Sequence, residues 1–431
     1  MVFKHWKLTP QLSAARPAKA ASDRKTNMLI PRLPRLPLAV ITAALMLSGA
    51  KAETTLNWID YDTNSVTNRE YLEKIFKEYH AEHPDITLIR TVVPQGDFKS
   101  KLIQATATHS VPDIIILDNP DNQALAAQGT LADLTDRMKD WKYEYFKGPW
   151  SSTLYQGHNY GIPIQSNTLV VWYNLDLLTK ASIEKLPVTW DEFRAVAKKL
   201  TEGNTYGLTF SANSTEVGTF TLLPFIWSAG ADLETFSSPE AVKALTYLRD
   251  LVVTDKSASR SVVTWGPSDL TNAWTSGRAA MMINGSWETP NIRDAKLSFK
   301  WTIGPLPKDK DSISILGGEN LALGNGPHQE EAWRFVQWLS EPTRLLGFIH
   351  ARGQLPNRID LIDEKSADDL DKVFYEAIRT AKARAYGPNY PKMSQILYTA
   401  FQRVVTGAGQ PEQVANETQK QLAPLLGSAT K

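Results

Sequence analysis

Val111-Pro112-Asp113-Ile114-Ile115-Ile116-Leu117-Asp118-Asn119 is the stretch on which the reading of this chain turns. Residues 114–117 are apolar without a break. A strand with one face in water alternates, whereas an unbroken run fits a strand covered on both faces, as in a parallel sheet under helices. Working upstream, residues 55–59 and 86–93 read as further strands. Between them, residues 68–80 set Tyr71, Leu72, Ile75, Phe76 and Tyr79 on one helical face, and Pro84 follows the helix end. Residues 98–108 read as a second helix. Strand, helix, strand, helix, strand is the rhythm of an open α/β sheet. In such sheets ligands sit beyond the carboxyl ends of the strands. Asp60-Tyr61 and Asp118-Asn119 occupy those ends.

Downstream the same alternation resumes. Tyr160-Gly161-Ile162-Pro163 precedes a strand at 168–173 that ends on Asn174. Thr189 caps a helix opening Trp190-Asp191-Glu192, with Phe193, Val196, Ala197 and Leu200 on its apolar face. A strand at 280–284 runs into Gly285, whose freedom allows a sharp exit that displays Trp287. Gly317-Gly318-Glu319-Asn320 leads into a strand at 321–323, and the chain from about 365 onward is mostly helical. No internal repeat or low-complexity tract interrupts it.

The 431 residues are enough for two full cores. A formal charge of +1 offers no field for a nucleic acid or an acidic membrane. The absence of cysteine removes disulfides, thiolate metal sites, cysteine nucleophiles and lipid attachment through a thiol. Residues 28–52 carry Arg32 and Arg35, an apolar run at 36–47, and Ala50-Lys51-Ala52. That is the order of a secretory signal peptide, cleaved after Ala52. Residues 1–27 read as an upstream mis-assigned start or an extended basic region. A signal without a lipidation cysteine points to the periplasm.

Several segments, in order, carry a family likeness. They are Val111 to Ile116, Gly129-Thr130-Leu131-Ala132-Asp133-Leu134, Tyr160 to Pro163 followed by Val170-Val171-Trp172-Tyr173-Asn174, and Pro187-Val188-Thr189-Trp190-Asp191-Glu192-Phe193. Gly277-Arg278-Ala279-Ala280-Met281-Met282-Ile283-Asn284-Gly285-Ser286-Trp287 is the most specific. Gly317-Gly318, Glu331-Ala332-Trp333-Arg334-Phe335, Pro391-Lys392-Met393-Ser394 and Val405-Thr406-Gly407 complete the set. The chain resembles the extracellular solute-binding proteins of ABC transporters, in the carbohydrate-binding group that is maltose-binding-protein-like.

The resemblance implies the type II periplasmic binding protein fold: two lobes, each an open α/β sheet flanked by helices, joined by hinge strands around a ligand cleft. Lobe one would hold 53–163 plus 306–342, and lobe two 167–302 plus 348–431. Hinges would lie near 164–166, 303–305 and 343–347. The implied function is capture of a mono- to oligosaccharide and delivery to membrane permease subunits with their ATPase. The mature protein would be a monomer with no cofactor, metal or catalytic residue. Carried over position by position, the ligand set is Asp60, Tyr61, Asp118, Asn119, Asp121, Asn167, Glu216, Phe220, Trp287, Glu319 and Asn320. Acids and amides suit sugar hydroxyls, and aromatic rings suit sugar C–H faces. Helix capping suits Asp118 and Asp121 equally well. Leu397 stands where the maltose-binding group has a stacking Trp after Pro-x-Met-Ser, and Asn167 where it has an acid, so a maltodextrin is no better favoured than another small saccharide.

Two rival readings remain. The same fold could bind a polyamine, an amino-acid derivative or a glycerol phosphate ester; Arg352 is the arginine to check for a phosphate. A carboxylate-dependent glycoside hydrolase would need two paired acids, but Gly-x-Ser-x-Gly and His-Glu-x-x-His are both absent.

Overall fold

The computed structural model describes residues 53–61, 65–362, 368–384 and 386–426. The signal segment expected at 28–52 and the extension before it lie outside the described residues. Among those described, no helix is long and apolar enough to cross a membrane.

The first sheet runs in the order Ala381–Ala383, Ser314–Leu323, Ile114–Asp118, Thr54–Asp60, Ile86–Val92, and Ile162–Asn167 also pairs with Ser314–Leu323. Thr54–Asp60 is parallel to both of its neighbours, while Ser314–Leu323 is antiparallel to Ile114–Asp118. Each residue from Ile114 to Leu117 is fully buried. The reason is visible in the packing. Ile114 and Ile116 join Leu56, Trp58, Leu321 and Leu323 in one core, and Ile115 and Leu117 join Ile59 and Ala322 in a second core on the other face. With both pleats covered, neither can be polar.

The second sheet runs Trp301–Gly304, Leu169–Asn174, Ala279–Gly285, Tyr206–Thr209. It repeats the arrangement. Leu169, Val171 and Tyr173 face the largest core, with Met281 and Ile283, while Val170, Trp172, Met282 and Ile303 face another. Local chemistry starts the flanking helices. Thr189 and Glu192 form a reciprocal capping box at Trp190–Leu200, with Glu192 N donating to Thr189 Oγ1 at 3.3 Å and Thr189 N to Glu192 Oε2 at 3.0 Å. Asn174 Oδ1 accepts from Leu177 N at 3.1 Å and opens Leu175–Lys180.

The chain changes sheet at Thr168, between the strands Ile162–Asn167 and Leu169–Asn174. It changes back between Trp301–Gly304 and Ser314–Leu323. One hinge was expected at 343–347. Those residues lie inside the helix Pro342–Ala351, whose Leu345, Phe348 and Ile349 pack into the core of the first sheet together with Leu361. After that helix Leu355 joins the core of the second sheet, Leu361 that of the first, and Phe374 and Ala377 that of the second. The C-terminal part also contributes the strand Ala381–Ala383 to the edge of the first sheet, before the helices Tyr390–Val405 and Pro411–Leu426 return to the second.

Gly207 marks how closely one helix is laid on the second sheet: a Cβ there would come 1.8 Å from the backbone oxygen of Ala197. Backbone cannot step aside as a side chain can. Gly207→Ala is expected to destabilise the protein by about 1–3 kcal/mol, read as a lower urea midpoint with an unchanged slope.

Candidate ligand cleft

A cleft enclosing about 830 Å³ of atom-free space, counted out to its open mouth, lies where the strand ends of the two sheets face each other. Tyr61, Ser65, Gln95, Asp118 and Glu319 line the wall from the first sheet. Glu216, Val217, Phe220, Pro267 and Trp287 line the wall from the second, and Asn167, Arg352, Gln354 and Arg384 close the base.

The first wall is built at strand ends, as the parallel topology requires. Asp118 ends its strand and pairs in register with Glu319, so two acids stand side by side. Gly318, at φ 138°, allows the backbone turn that aims Glu319 at the cleft; a Cβ on it would meet Gln165 O at 2.3 Å. Glu319 Oε1 accepts from Tyr61 Oη at 3.0 Å, and its Oε2 from Gln165 Nε2 at 2.7 Å. Burial pushes the Glu319 carboxyl up from the usual range, against the pull of nearby Arg352, and burial likewise holds the Tyr61 phenol well above its ordinary value. The Tyr61 ring is braced edge-on by Phe98, with centroids 5.2 Å apart.

The second wall is aromatic. Trp287 and Phe220 lie with centroids 6.0 Å apart, tilted by 53°. Trp287 lies against Gly285, where a Cβ would fall 2.1 Å from the indole ring. The indole N–H is buried and has no partner among the described residues. Gly317 serves the base in the same way, since a Cβ there would meet Asn167 Oδ1 at 2.0 Å and Phe220 Cζ at 2.8 Å.

Arg384 joins the walls. Its Nη2 and Nη1 bond Asp118 at 2.8 and 3.0 Å, and Nη1 bonds Glu216 at 2.6 Å. Nη2 also reaches Asn119 Oδ1 at 3.3 Å. The guanidinium stands 4.7 Å from the centre of the Phe220 ring. Burial works against its charge, but Asp118 and Glu216 outweigh burial and raise its pKa well above the usual value. Glu216 further accepts from Tyr390 Oη at 2.6 Å and from Ser394 Oγ.

Eight of the twelve expected ligand residues therefore line one cleft: Tyr61, Asp118, Asn167, Glu216, Phe220, Trp287, Glu319 and Arg352. Four do not. Asp60 is fully buried beneath the sheet, where Trp58 Nε1 donates to it at 2.5 Å and Arg90 grips it at 2.7 and 2.8 Å. Asn320 follows Glu319, so the pleat turns it to the opposite face, into an amide cluster with Asn122 and Ser152. Asn119 lies behind Arg384, in a smaller neighbouring cavity. Asp121 pairs with Lys99 at 2.7 Å outside the cleft lining. Leu397, at the position of the missing stacking Trp, is sealed in the core.

Sequence reasoning missed Ser65, Gln95, Val217, Pro267, Gln354 and Arg384. Gln354 could have been found from its spacing, two residues after Arg352. Arg384 carried no local signal. No group of three His, Asp or Glu among the described residues is placed to hold a metal.

The profile of the bacterial extracellular solute-binding protein family matches residues 63–343. The chain belongs to that family. A Thermotoga lettingae ABC transporter solute-binding protein, solved with α-D-tagatose, shares 26% identity over 86% of this chain and all of that one, with a TM-score of 0.80. A lactose-binding protein of Rhizobium radiobacter is 24% identical over 80% of this chain and 78% of its own. A Brucella abortus protein, named for binding without a stated ligand, is 24% identical over 89% of this chain and 95% of that protein. The two lobes and their cleft are those of a binding protein.

Two predictions concern the acids that lie outside the cleft lining. Asp60→Asn removes the carboxylate that accepts two bonds from Arg90 and the Trp58 N–H in a mostly buried site, so unfolding free energy should fall, by about 1–3 kcal/mol, in denaturant titration. Asp121 is raised from 3.8 to about 6, chiefly by burial, which the pull of Lys99 only partly offsets. A raised folded pKa gives stability that is present below the unfolded value and lost as pH climbs through the folded one. Wild type should therefore lose stability relative to Asp121→Asn as pH rises from about 4 to about 7, read as diverging melting temperatures.

Proposed function

We propose that the protein captures an uncharged sugar in this cleft outside the cytoplasmic membrane and delivers it to the permease of an ABC importer. The observation that carries the reading is one wall of hydrogen-bonding acids facing one wall of Trp287 and Phe220. Hydroxyls are met by Asp118, Glu319, Asn167 and Gln354, and a pyranose or furanose C–H face by the indole. The charges are compensated from within, since Asp118 and Glu216 share Arg384 while Glu319 is held by Tyr61 and Gln165. A polyamine would want acids without such partners. A phosphate ester would want a guanidinium; Asp118 and Glu216 already occupy Arg384, and Arg352, the other arginine of the lining, stands near Glu319. Tagatose and lactose as ligands of related proteins support the same class.

The chain acts without catalysis and without a lipid anchor. Its cleft carboxylates accept hydrogen bonds from Arg384, Tyr61 and Gln165, and the sequence has no cysteine to lipidate. Lobe one comprises the first sheet with the helix Pro342–Ala351, and lobe two the second sheet with the C-terminal helices. The lobes close on the sugar, and the closed pair presents the docking surface to the permease.

A thermal-shift panel tests the reading. A fitting neutral mono- or disaccharide at a hundred times its Kd should stabilise the protein by about 2.7 kcal/mol, with no shift from spermidine or glycerol 3-phosphate. Stabilisation by either of those, and by no sugar, would replace the reading. Trp287→Ala should weaken the sugar about tenfold by calorimetry, and incubation with oligosaccharides should release no cleavage product.

A further inference from the structure

We infer that Arg384 is a positioning residue that latches the two lobes together across the base of the cleft, so that the chain carries its own bias toward closure. Its place in the chain sets up that role. Ala381–Ala383 is hydrogen-bonded along Ser314–Leu316 on the first sheet, while Tyr386 and Tyr390 already belong to the core of the second. Arg384 thus stands where the chain crosses from one half to the other. Its fork holds Asp118, the end of a first-lobe strand, and its Nη1 holds Glu216, the first residue of the second-lobe helix Glu216–Ser228.

The side chain of Arg384 is 1% exposed, and those of Asp118 and Glu216 are 15% and 20% exposed. Charge-assisted bonds this far from water are little screened by salt and stronger than their surface equivalents. A second contact between the halves lies at the rim, where Thr67 Oγ1 donates to Asp294 Oδ2 at 3.2 Å, and it is exposed. That bond competes with water and adds little.

The consequences on opening are unequal. Glu216 keeps Tyr390 and Ser394, which sit with it in the second half. Asp118 is paired with Arg384, and Arg384 with both Asp118 and Glu216, so separating the walls breaks the three-charge arrangement wherever the crossing strand goes. The latch acts on the site assigned above to a sugar and rests on that assignment for its effect on affinity. Its effect on shape does not depend on any ligand.

The test compares ligand-free wild type with Arg384→Gln, Arg384→Lys, Glu216→Gln and the rim control Thr67→Val by small-angle scattering, each checked for native far-UV dichroism. Arg384→Gln should give a larger radius of gyration than wild type. Glu216→Gln, which removes only the second-lobe arm, should expand the protein too. Arg384→Lys should fall between, and Thr67→Val should match wild type. The sugar found in the panel should bind Arg384→Gln about tenfold or more weakly, since the binding-competent closed state is less populated. Should Arg384→Gln fail to fold, Glu216→Gln and Arg384→Lys decide. Folded variants with the wild-type radius overturn the latch, as does a rim variant that opens as far as the others. If no sugar binds wild type, the sugar assignment fails while the scattering comparison still decides the latch.

Discussion

Carboxylates held out of water need counter-charge or donors, and that constraint organises the centre of this molecule. Asp118, Glu216 and Glu319 converge on one cleft from two neighbouring strands of the first sheet and a helix. The fold supplies compensation for each: one guanidinium shared by Asp118 and Glu216, a phenol and an amide on Glu319, a second phenol and a hydroxyl on Glu216. None of these donors is next to its acid in sequence. The site therefore exists only when both lobes are folded and the C-terminal segment has returned to the first sheet. Stability and ligand geometry are thereby the same problem, because what fixes the acids against self-repulsion also fixes their lone pairs toward a guest.

Glycine does the complementary work on the aromatic side. Gly285 and Gly317 are buried in extended strands where a single methyl would collide with Trp287, or with Asn167 and Phe220. Rings can thus approach the backbone to van der Waals distance and stand over the strand ends rather than sinking into the core. Leu397 shows the alternative outcome. At the position where the related group carries a ligand-stacking ring, the side chain turns into the second core and the cleft gains no platform there. The cleft is left with one indole platform backed by Phe220.

Much of the first lobe was legible because its signals are local. An apolar run at 114–117 can be satisfied only by burial on both faces, and the strand-end rule then places Tyr61 and Asp118 at the mouth. The failures have equally physical causes. Asp60 and Tyr61 are neighbours, and the pleat sends one up and the other down; Asp60 shares its face with Trp58 and meets Arg90 from the next strand. Asn320 fails against Glu319 for the same reason of alternation. Pairing strand residues by face rather than by adjacency would have sorted both. Arg384 was beyond such repair: it lies 266 positions from Asp118 and 168 from Glu216, and nothing near it announces a ligand site. Only the return of the strand Ala381–Ala383 to the first sheet brings it in.

The helix over the expected third crossing has its own physical logic. A helix with Leu345, Phe348 and Ile349 on one stripe must bury that stripe somewhere, and the nearest unfilled surface was the first core, beside Trp58 and Leu72. The chain accordingly keeps this helix on the first core; Leu355 then touches the second core, Leu361 packs on the first again, and Phe374 and Ala377 lie in the second. A crossing placed before that helix would have left the first core without one of its walls. Placed after it, the last pass between lobes runs directly behind the cleft, and this route sets a cation between acids that two separate domains would otherwise have had to neutralise alone.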